Sequence, residues 1–238
     1  KVSNREYCTH TGRIGSKRIS VVSTGVGVGN IDIVLNEIDA LFNIDFTTRM
    51  VKASITPLTL IRLGTAGGLQ TVMSVGSVVI SEWALGLDGM PIFYQSKKID
   101  HPLVSAARAY CKHTPLVDQF YVADASIGLL NQLRPLGQCG ITLTCPGFYG
   151  PQYRQLRVPV DIDLSLNDWG QFDYEGRKIL NFEMETSAIY MLSNLLGHRC
   201  CSISLLAANR ITSEFIDDLP SAIDHMISNA LSIISGLS

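Results

Sequence analysis

Short runs of β-branched and other apolar residues alternate along the chain with segments in which apolar positions recur at helical spacing. This alternation predicts an α/β domain built on a largely parallel sheet. Strands are predicted in the region 13–25 and at 58–67, 75–85, 119–128, 139–148 and 200–210, and helices at 30–43, near 102–112, at about 184–197 and over 221–237. Residues 150–180 are polar and irregular, and we expect a long functional loop there.

Length and composition favour one globular domain spanning 1–238. The chain has 238 residues, of which 46% are hydrophobic and 17% charged, enough for a substantial core but not for a second full domain. Its 19 basic residues nearly balance 21 acidic ones and are scattered along the chain. We therefore expect a small-molecule substrate, and neither a nucleic acid nor a membrane as partner.

The six cysteines show neither CxxC nor metal-type spacing, which predicts buried, reduced thiols in a cytoplasmic protein. The sequence contains no signal peptide and no apolar run of membrane-spanning length, which favours the same location. It begins at Lys1, inside what reads as a strand pair, so we expect a further segment upstream.

A glycine-rich loop, GVGVGN at 25–30, partly matches the dinucleotide fingerprint GxGxxG. Its sixth position is Asn30, and the next strand runs into RLGT at 62–65 instead of the acidic residue that would contact a ribose hydroxyl. We therefore expect a tight strand-to-helix turn with backbone donors, and not a dinucleotide site.

The segment RLGTAGG at 62–68 is more specific. An arginine at a strand end, followed by Gly-Thr and two more glycines, gathers a guanidinium, a hydroxyl and approachable backbone N–H groups, which are the donors that a phosphate requires. A glycine-rich turn with a surface arginine fits this segment equally well.

Two further segments carry polar groups suited to a nucleoside. NFEMETSA at 181–188 places Glu183 and Glu185 at the start of an apolar helix, where one carboxylate is suited to two sugar hydroxyls. Side chains two positions apart on a helix point in different directions, and acidic residues there also simply complement the helix dipole. In GFYGPQYR, Phe148, Gln152 and Arg154 can stack on and read the edge of a flat imide-containing base, although a solvated loop has the same composition.

Metal-dependent and covalent chemistry find little support in the sequence. The five histidines form no ligand cluster such as HExxH, and no GxSxG nucleophile elbow is present. The segment ANRITSE at 208–214 contributes Arg210 and Glu214 but no nucleophile. We therefore expect binding and electrostatic catalysis, without a covalent intermediate.

Six motifs, taken in order, resemble the nucleoside phosphorylase superfamily and, within it, the uridine phosphorylases. They are SNRE at 3–6, STGVG at 23–27, RLGTAGG at 62–68, GFYGPQYR at 147–154, NFEMETSA at 181–188 and ANRITSE at 208–214. The resemblance implies a doubly wound α/β fold around a mixed, partly barrel-like sheet. It also implies reversible phosphorolysis of uridine to uracil and ribose 1-phosphate in pyrimidine salvage, with phosphate as co-substrate and no required cofactor.

The resemblance implies a phosphate site made of Arg62, Gly64, Thr65 and, from the neighbouring subunit, Arg5. The homodimer would then be the catalytic unit, and such dimers usually build a hexamer. A monovalent cation at the dimer interface would involve Glu6, the Val26 carbonyl and Asn30, a position that is commonly serine in the family.

The resemblance likewise implies a ribose site made of Met184, through its backbone, and Glu185, with Glu183 beside them. Uracil would be bound by Phe148, Gln152 and Arg154, and the base site would be closed by a mobile region containing Arg210 and Glu214. The residues that carry catalysis would be Arg62, Arg154 and Glu185.

Some family features are not found. The Gly-Asp-Pro-x-Arg phosphate loop and a partner histidine that reaches the ribose 5′-hydroxyl are not identifiable, which again leads us to expect an upstream segment. Purine-cleaving relatives carry an aspartate where this chain has Asn209-Arg210, which favours uridine over inosine. The alternatives are a purine nucleoside phosphorylase or nucleosidase of the same superfamily, and a degenerate nucleoside-binding protein.

Overall fold

The computed structural model describes residues 1–4, 7–95, 101–111, 117–160 and 166–236. Its strands are β1 (Val2–Asn4), β2 (Tyr7–Ile14), β3 (Lys17–Val22), β4 (Ile44–Asp45), β5 (Met50–Val51), β6 (Thr59–Gly68), β7 (Val78–Gly86), β8 (Tyr121–Asp124), β9 (Gln138–Thr144), β10 (Asp173–Tyr174), β11 (Arg177–Glu183), β12 (Arg199–Asn209) and β13 (Glu214–Phe215). Its α-helices are α1 (Val28–Asn43), α2 (Pro102–Tyr110), α3 (Ile127–Leu133), α4 (Leu166–Gln171), α5 (Thr186–Leu196) and α6 (Leu219–Ile234).

A mixed eight-stranded sheet forms the centre of the molecule, in the order β13-β12-β6-β11-β9-β7-β8, with β10 added beside β11. The pairs β6/β12, β9/β11 and β7/β9 are parallel and include the longest pairings, whereas β6/β11 is antiparallel. Strand β7 also pairs with β12, which closes five strands into a ring. The α/β class and the mostly parallel, partly barrel-like sheet are therefore confirmed.

Apolar side chains fill both sides of this sheet. On one side, Ile31 and Leu35 of α1 and Tyr190 of α5 pack with Ile80 and Ile203 of the strands. A second apolar cluster joins α2 and α4 to β9 and β11. Strands covered on both faces need continuous apolar runs, which is why β7, β9 and β12 were readable in the sequence.

The element boundaries depart from the sequence prediction in several places. The strands expected at 119–128 and 139–148 end early, at Asp124 and Thr144, and helix α3 begins at Ile127. The irregular stretch expected at 150–180 contains α4 and β10 and the start of β11, a central strand that the sequence analysis missed. Three polar residues interrupt the apolar pattern of β11: Lys178, Asn181 and Glu183. The sequence pattern therefore does not indicate that this strand is buried.

The six cysteines differ in how far they are buried. All six cysteines are free, and four are buried, but Cys8 and Cys139 are partly exposed, so the prediction of uniformly buried thiols is wrong for these two.

Strands β1, β2 and β3 form a separate antiparallel sheet. Among the described residues, no helix combines the length and apolarity needed to cross a membrane.

Candidate functional site

Strand register brings the two acidic residues of NFEMET back toward Arg62. Strand β11 runs antiparallel to β6, with Asn181 opposite Gly68 and Phe182 opposite Gly67. In an antiparallel pair, each step forward on one strand is a step backward on the other. The chain that leaves β11 therefore travels along β6 from the Gly67 end toward Arg62.

Glu183 and Glu185 both contact the same nitrogen of Arg62. Arg62 Nη2 lies 2.7 Å from Glu185 Oε2 and 3.1 Å from Glu183 Oε2. The expectation that the two carboxylates diverge is therefore wrong. They do not occupy one helix, because Glu183 is the last residue of β11 and Glu185 is the N-cap of α5.

Arg62 is held from three directions. Its Nη1 donates to Ser204 Oγ at 3.1 Å and to Ser202 Oγ at 3.4 Å, both on the parallel strand β12. Its guanidinium lies over Gly64, where an added Cβ would come within 2.7 Å of three guanidinium atoms. Burial opposes the charge, but the attraction of the two carboxylates prevails and raises the pKa of Arg62.

The glycine-rich loop at 25–30 reaches the same cluster through its backbone. Gly27, which has a φ of 91° and precedes α1, donates its N–H to Glu185 Oε1 at 2.6 Å. Glu185 is thus held between this loop and Arg62, and only 8% of it is exposed. The loop is a strand-to-helix turn that supplies a backbone donor, as the sequence analysis expected.

The cation position suggested by the resemblance is built differently here. Asn30 donates its side-chain Nδ2 to the Val26 carbonyl at 2.7 Å, and its Oδ1 accepts from the Tyr7 hydroxyl at 3.3 Å. The Val26 carbonyl thus already accepts one amide N–H. Glu6 lies outside the described residues, as does Arg5, and the cation site stays a prediction. No group of three or more acidic, histidine or cysteine side chains suited to a metal occurs in the described part of the chain.

Thr65 and Met184 flank the cluster in sequence. Thr65, on β6, is exposed, and Met184, between the two acidic residues, is half-buried. Both remain predicted ligand contacts.

A second group of predicted residues forms around the 3-10 turn Gly150–Gln152. The Arg154 guanidinium stacks 4.0 Å from the centre of the half-exposed Phe148 ring. Gln152 is buried. The backbone N–H of Arg154 donates to the Tyr149 carbonyl at 2.8 Å, which closes the turn. The structure therefore brings Phe148, Gln152 and Arg154 together on one short loop.

Arg210 belongs to the same region. Its guanidinium lies 5.3 Å from the centre of the Phe182 ring, and a Cβ added at Gly67 would lie 3.0 Å from its Cγ. The pKa of Arg210 is lowered to about 10, mainly by burial and to a smaller extent by repulsion from Arg154. Burial also lowers the pKa of Arg154. Within the described residues, Arg154 Nε and Arg210 Nη1 are buried without a hydrogen-bond partner.

Asn209 and Glu214 make hydrogen bonds within their own part of the chain. The Asn209 side chain donates to the Gln70 and Met73 carbonyls, and its oxygen accepts two backbone N–H groups from residues 211 and 212. This asparagine therefore shapes the loop, and its part in selecting the base stays a prediction. Glu214 is exposed and accepts from Thr212 Oγ1 at 2.8 Å.

A buried polar network that the sequence did not predict lies beside the carboxylates. Thr144 Oγ1 donates to Glu183 Oε1 at 2.6 Å and accepts the Ser187 N–H at 3.0 Å. Ser187 Oγ in turn donates to Asp88 Oδ2 at 2.8 Å, and Tyr121 contacts both groups. The available signal was the alternation in ITLTC, which places two threonines on one face of a buried strand.

Comparison with known proteins identifies a family. A model described as the Phosphorylase superfamily matches residues 1–235. The chain is 28% identical over 224 residues to a uridine phosphorylase of Thermococcus kodakarensis, covering 89% of this chain and 65% of the relative. It is 26% identical to a uridine phosphorylase of Haemophilus influenzae, covering 89% and 72%. It is also 28% identical to a DeoD-type purine nucleoside phosphorylase of Bacillus cereus, covering 86% and 69%.

Solved structures agree on the fold. A nucleoside phosphorylase of Trypanosoma brucei, described as showing uridine phosphorylase activity, superposes with a TM-score of 0.85 at 24% identity, covering 98% of this chain and 84% of that one. A uridine phosphorylase structure from Phytophthora capsici gives a TM-score of 0.67 at 18% identity, covering 98% and 80%. The chain thus spans about two thirds of its first curated relative and most of these structural neighbours.

Proposed function

The chain belongs to the phosphorylase superfamily, and from this premise we propose that it catalyses the reversible phosphorolysis of uridine to uracil and ribose 1-phosphate. The observation that carries the proposal is the convergence of Arg62 with Glu183 and Glu185 beside Gly64, which lies within strand β6 and not in a turn. The cation comes from within β6, one carboxylate from the end of β11 and the other from the N-cap of α5, and together they provide adjacent sites for an anion and for sugar hydroxyls. The similarity to uridine phosphorylases supports the choice of substrate.

In this proposal, the ion pair between Arg62 and Glu185 is exchanged for substrate contacts. The ribose 2′- and 3′-hydroxyls donate to Glu185, and Met184 adds a backbone contact. Phosphate takes the same face of the Arg62 guanidinium, whether or not the nucleoside is bound, together with the Gly64 backbone and Thr65. Arg5 of a second subunit completes the phosphate site, so that the active unit is a homodimer, and the dimers build a hexamer.

The base occupies the region of Phe148, Gln152 and Arg154, with Arg210 close to it. The Gln152 amide and the Arg154 guanidinium match the carbonyls and the imide N–H of uracil. The repulsion between Arg154 and Arg210 supports this assignment, because a base that gains negative charge relieves it. Glu214 lies on the loop that closes the site.

Catalysis is electrostatic. Cleavage of the glycosidic bond develops positive charge on the ribose and negative charge on the leaving base, as in other glycosyl transfers. Phosphate held by Arg62 lies against the positive sugar and captures it at C1′, while Arg154 stabilises the electron pair that departs with uracil. We place this activity in pyrimidine salvage in the cytoplasm.

The test is to incubate the protein with uridine, with and without inorganic phosphate, and to quantify uracil and ribose 1-phosphate. We expect both products in equal amounts and only when phosphate is present. Uracil released without phosphate would indicate a nucleosidase, and no release at all would indicate a nucleoside-binding protein. Both results would overturn the proposal.

A purine nucleoside is the second candidate substrate. The similarity to the DeoD-type purine nucleoside phosphorylase of Bacillus cereus favours it, because its identity equals that of the first uridine phosphorylase relative. The same assay with inosine in place of uridine separates the two. We expect kcat/KM for uridine to exceed that for inosine, because buried polar groups matched to uracil are left unpaired by hypoxanthine.

A further inference from the structure

Two side-chain hydrogen bonds, which we call rungs, connect β9 to β11. In the parallel register of these strands, Thr142 lies opposite Asn181 and Thr144 lies opposite Glu183. The Thr142 hydroxyl donates to Asn181 Oδ1 at 2.9 Å, and the Thr144 hydroxyl donates to Glu183 Oε1 at 2.6 Å. All four side chains are buried. The rungs are alike in geometry, but only the second ends on a carboxylate of the Arg62 cluster.

Both carboxylate oxygens of Glu183 accept hydrogen bonds from other groups of the protein. Its Oε1 takes the Thr144 hydroxyl, and its Oε2 takes the N–H groups of Glu185 and Thr186, each at 2.9 Å. Oε2 also lies 3.1 Å from Arg62 Nη2. A carboxylate used in this way fixes the turn between β11 and α5, and that turn sets the position of the Glu185 side chain.

Thr144 is itself anchored. It accepts the Ser187 N–H from the first turn of α5, and Ser187 Oγ donates to Asp88 beyond the end of β7. Three segments of the chain therefore determine where the Thr144 hydroxyl lies, and through it the orientation of Glu183.

We propose that Thr144 and Glu183 are positioning residues that hold Arg62 and Glu185 for phosphate and ribose, and that Glu183 is not itself a hydroxyl acceptor. The proposal rests on the proposed function for its substrates. Removing the Thr144 hydroxyl leaves a buried carboxylate oxygen without its donor, so Glu183 reorients and Arg62 loses its alignment. The base region lies outside this chain of contacts and is unaffected.

The experiment compares Thr144→Val, which removes the hydroxyl at similar shape, with Thr144→Ser, which keeps it. Thr142→Val is the matched control, because it removes the equivalent hydroxyl from the rung that does not end on the cluster. For each protein we would measure kcat, the KM for phosphate, the inhibition constant of uracil, and the rise in melting temperature caused by inorganic phosphate alone.

We expect Thr144→Val to raise the KM for phosphate about tenfold or more, as for the loss of a hydrogen bond to a charged group, and to reduce the phosphate-induced rise in melting temperature. The inhibition constant of uracil should stay unchanged, and Thr144→Ser should restore phosphate binding. Thr142→Val should lower the melting temperature without changing the KM for phosphate. Should Thr144→Val not fold, Glu183→Gln makes the same test, because an amide cannot accept at both of its ends.

Equal effects of Thr142→Val and Thr144→Val on phosphate binding would overturn the proposal. So would an equal weakening of uracil and phosphate, or a wild-type protein that inorganic phosphate does not stabilise. A wild-type protein that phosphate stabilises, but that cleaves no uridine, would refute the proposed function alone. The phosphate-induced shifts of the variants would then still decide the positioning role.

Discussion

The two arginine regions of the candidate site differ in how their charge is balanced. Arg62 contacts two carboxylates and two serine hydroxyls, and the pKa of its guanidinium is raised. Arg154 and Arg210 pack against aromatic rings and repel each other, and the pKa of each is lowered. In the first region carboxylates compensate the arginine's charge before any ligand binds. In the second region two cations face each other without a carboxylate partner among the described contacts.

This difference fits the order of events in a glycosyl transfer. An arginine whose charge is compensated by carboxylates holds its geometry in the free protein and exchanges one contact for another when substrates bind. An unbalanced pair of guanidinium groups is stabilised most by the species that carries the most negative charge, which in the proposed reaction is the departing base and not the neutral nucleoside. Such a region favours the transition state over the ground state.

The largest expected effect on stability comes from Arg62→Met. Removing the cation leaves Glu183 and Glu185 buried without a counter-ion, and breaking a buried pair in this way costs about 3–5 kcal/mol of unfolding free energy. Urea denaturation followed by circular dichroism measures the loss. A loss below about 1 kcal/mol would mean that the cluster behaves like an exposed ion pair.

Arg154→Ala should affect turnover instead of stability. Losing one preorganised donor at the leaving group should lower kcat about 100- to 1,000-fold, while the urea midpoint stays close to that of the wild type. The exposed Arg157 supplies the control, since Arg157→Ala removes the same charge three residues away. Near-normal uridine cleavage by Arg154→Ala would refute its role at the base.

Arg210→Met should not cause the loss of unfolding free energy that we expect for Arg62→Met. Removing a partly buried cation that faces Arg154 relieves repulsion, so the unfolding free energy should stay within about 1 kcal/mol of the wild type or exceed it. Uridine turnover should fall at the same time. A destabilisation as large as that of Arg62→Met would show that the two regions are balanced alike.

Asp88 provides the smallest and most selective test, because neutral donors alone contact this carboxylate among the described hydrogen bonds. Burial raises its pKa, and hydrogen bonds from Met90, Ser187 and Tyr121 only partly offset the shift. The folded protein therefore binds this proton more readily than the unfolded chain, so the wild type should gain stability relative to Asp88→Asn as pH falls from 7 toward about 4. Urea denaturation of both proteins at several pH values measures this difference, and a constant difference would contradict the prediction.

The sequence predicted the sheet-forming runs and the loops of the site more reliably than the relations between them. The runs of β7, β9 and β12 are continuous and apolar because both of their faces are covered. Strand β11 escaped prediction because its buried polar residues, among them Asn181 and Glu183, are paired with threonines from a strand about 40 positions earlier in the chain. No local pattern records such a pairing.

For the site, residue types indicated Arg62, the pair Glu183 and Glu185, and Arg154 as candidates, since phosphate, sugar hydroxyls and a flat base each require particular donors and acceptors. Their roles stay predictions. The sequence by itself also determined the tight turn at 25–30, because glycine is the residue that adopts a positive φ without strain. Only the tertiary structure decided that Glu183 and Glu185 meet one guanidinium, that Gly27 and Thr144 hold them there, and that Arg210 faces Arg154. Those relations depend on strand register and on contacts between distant segments, in which a shift of one residue would turn each side chain to the opposite face of the sheet.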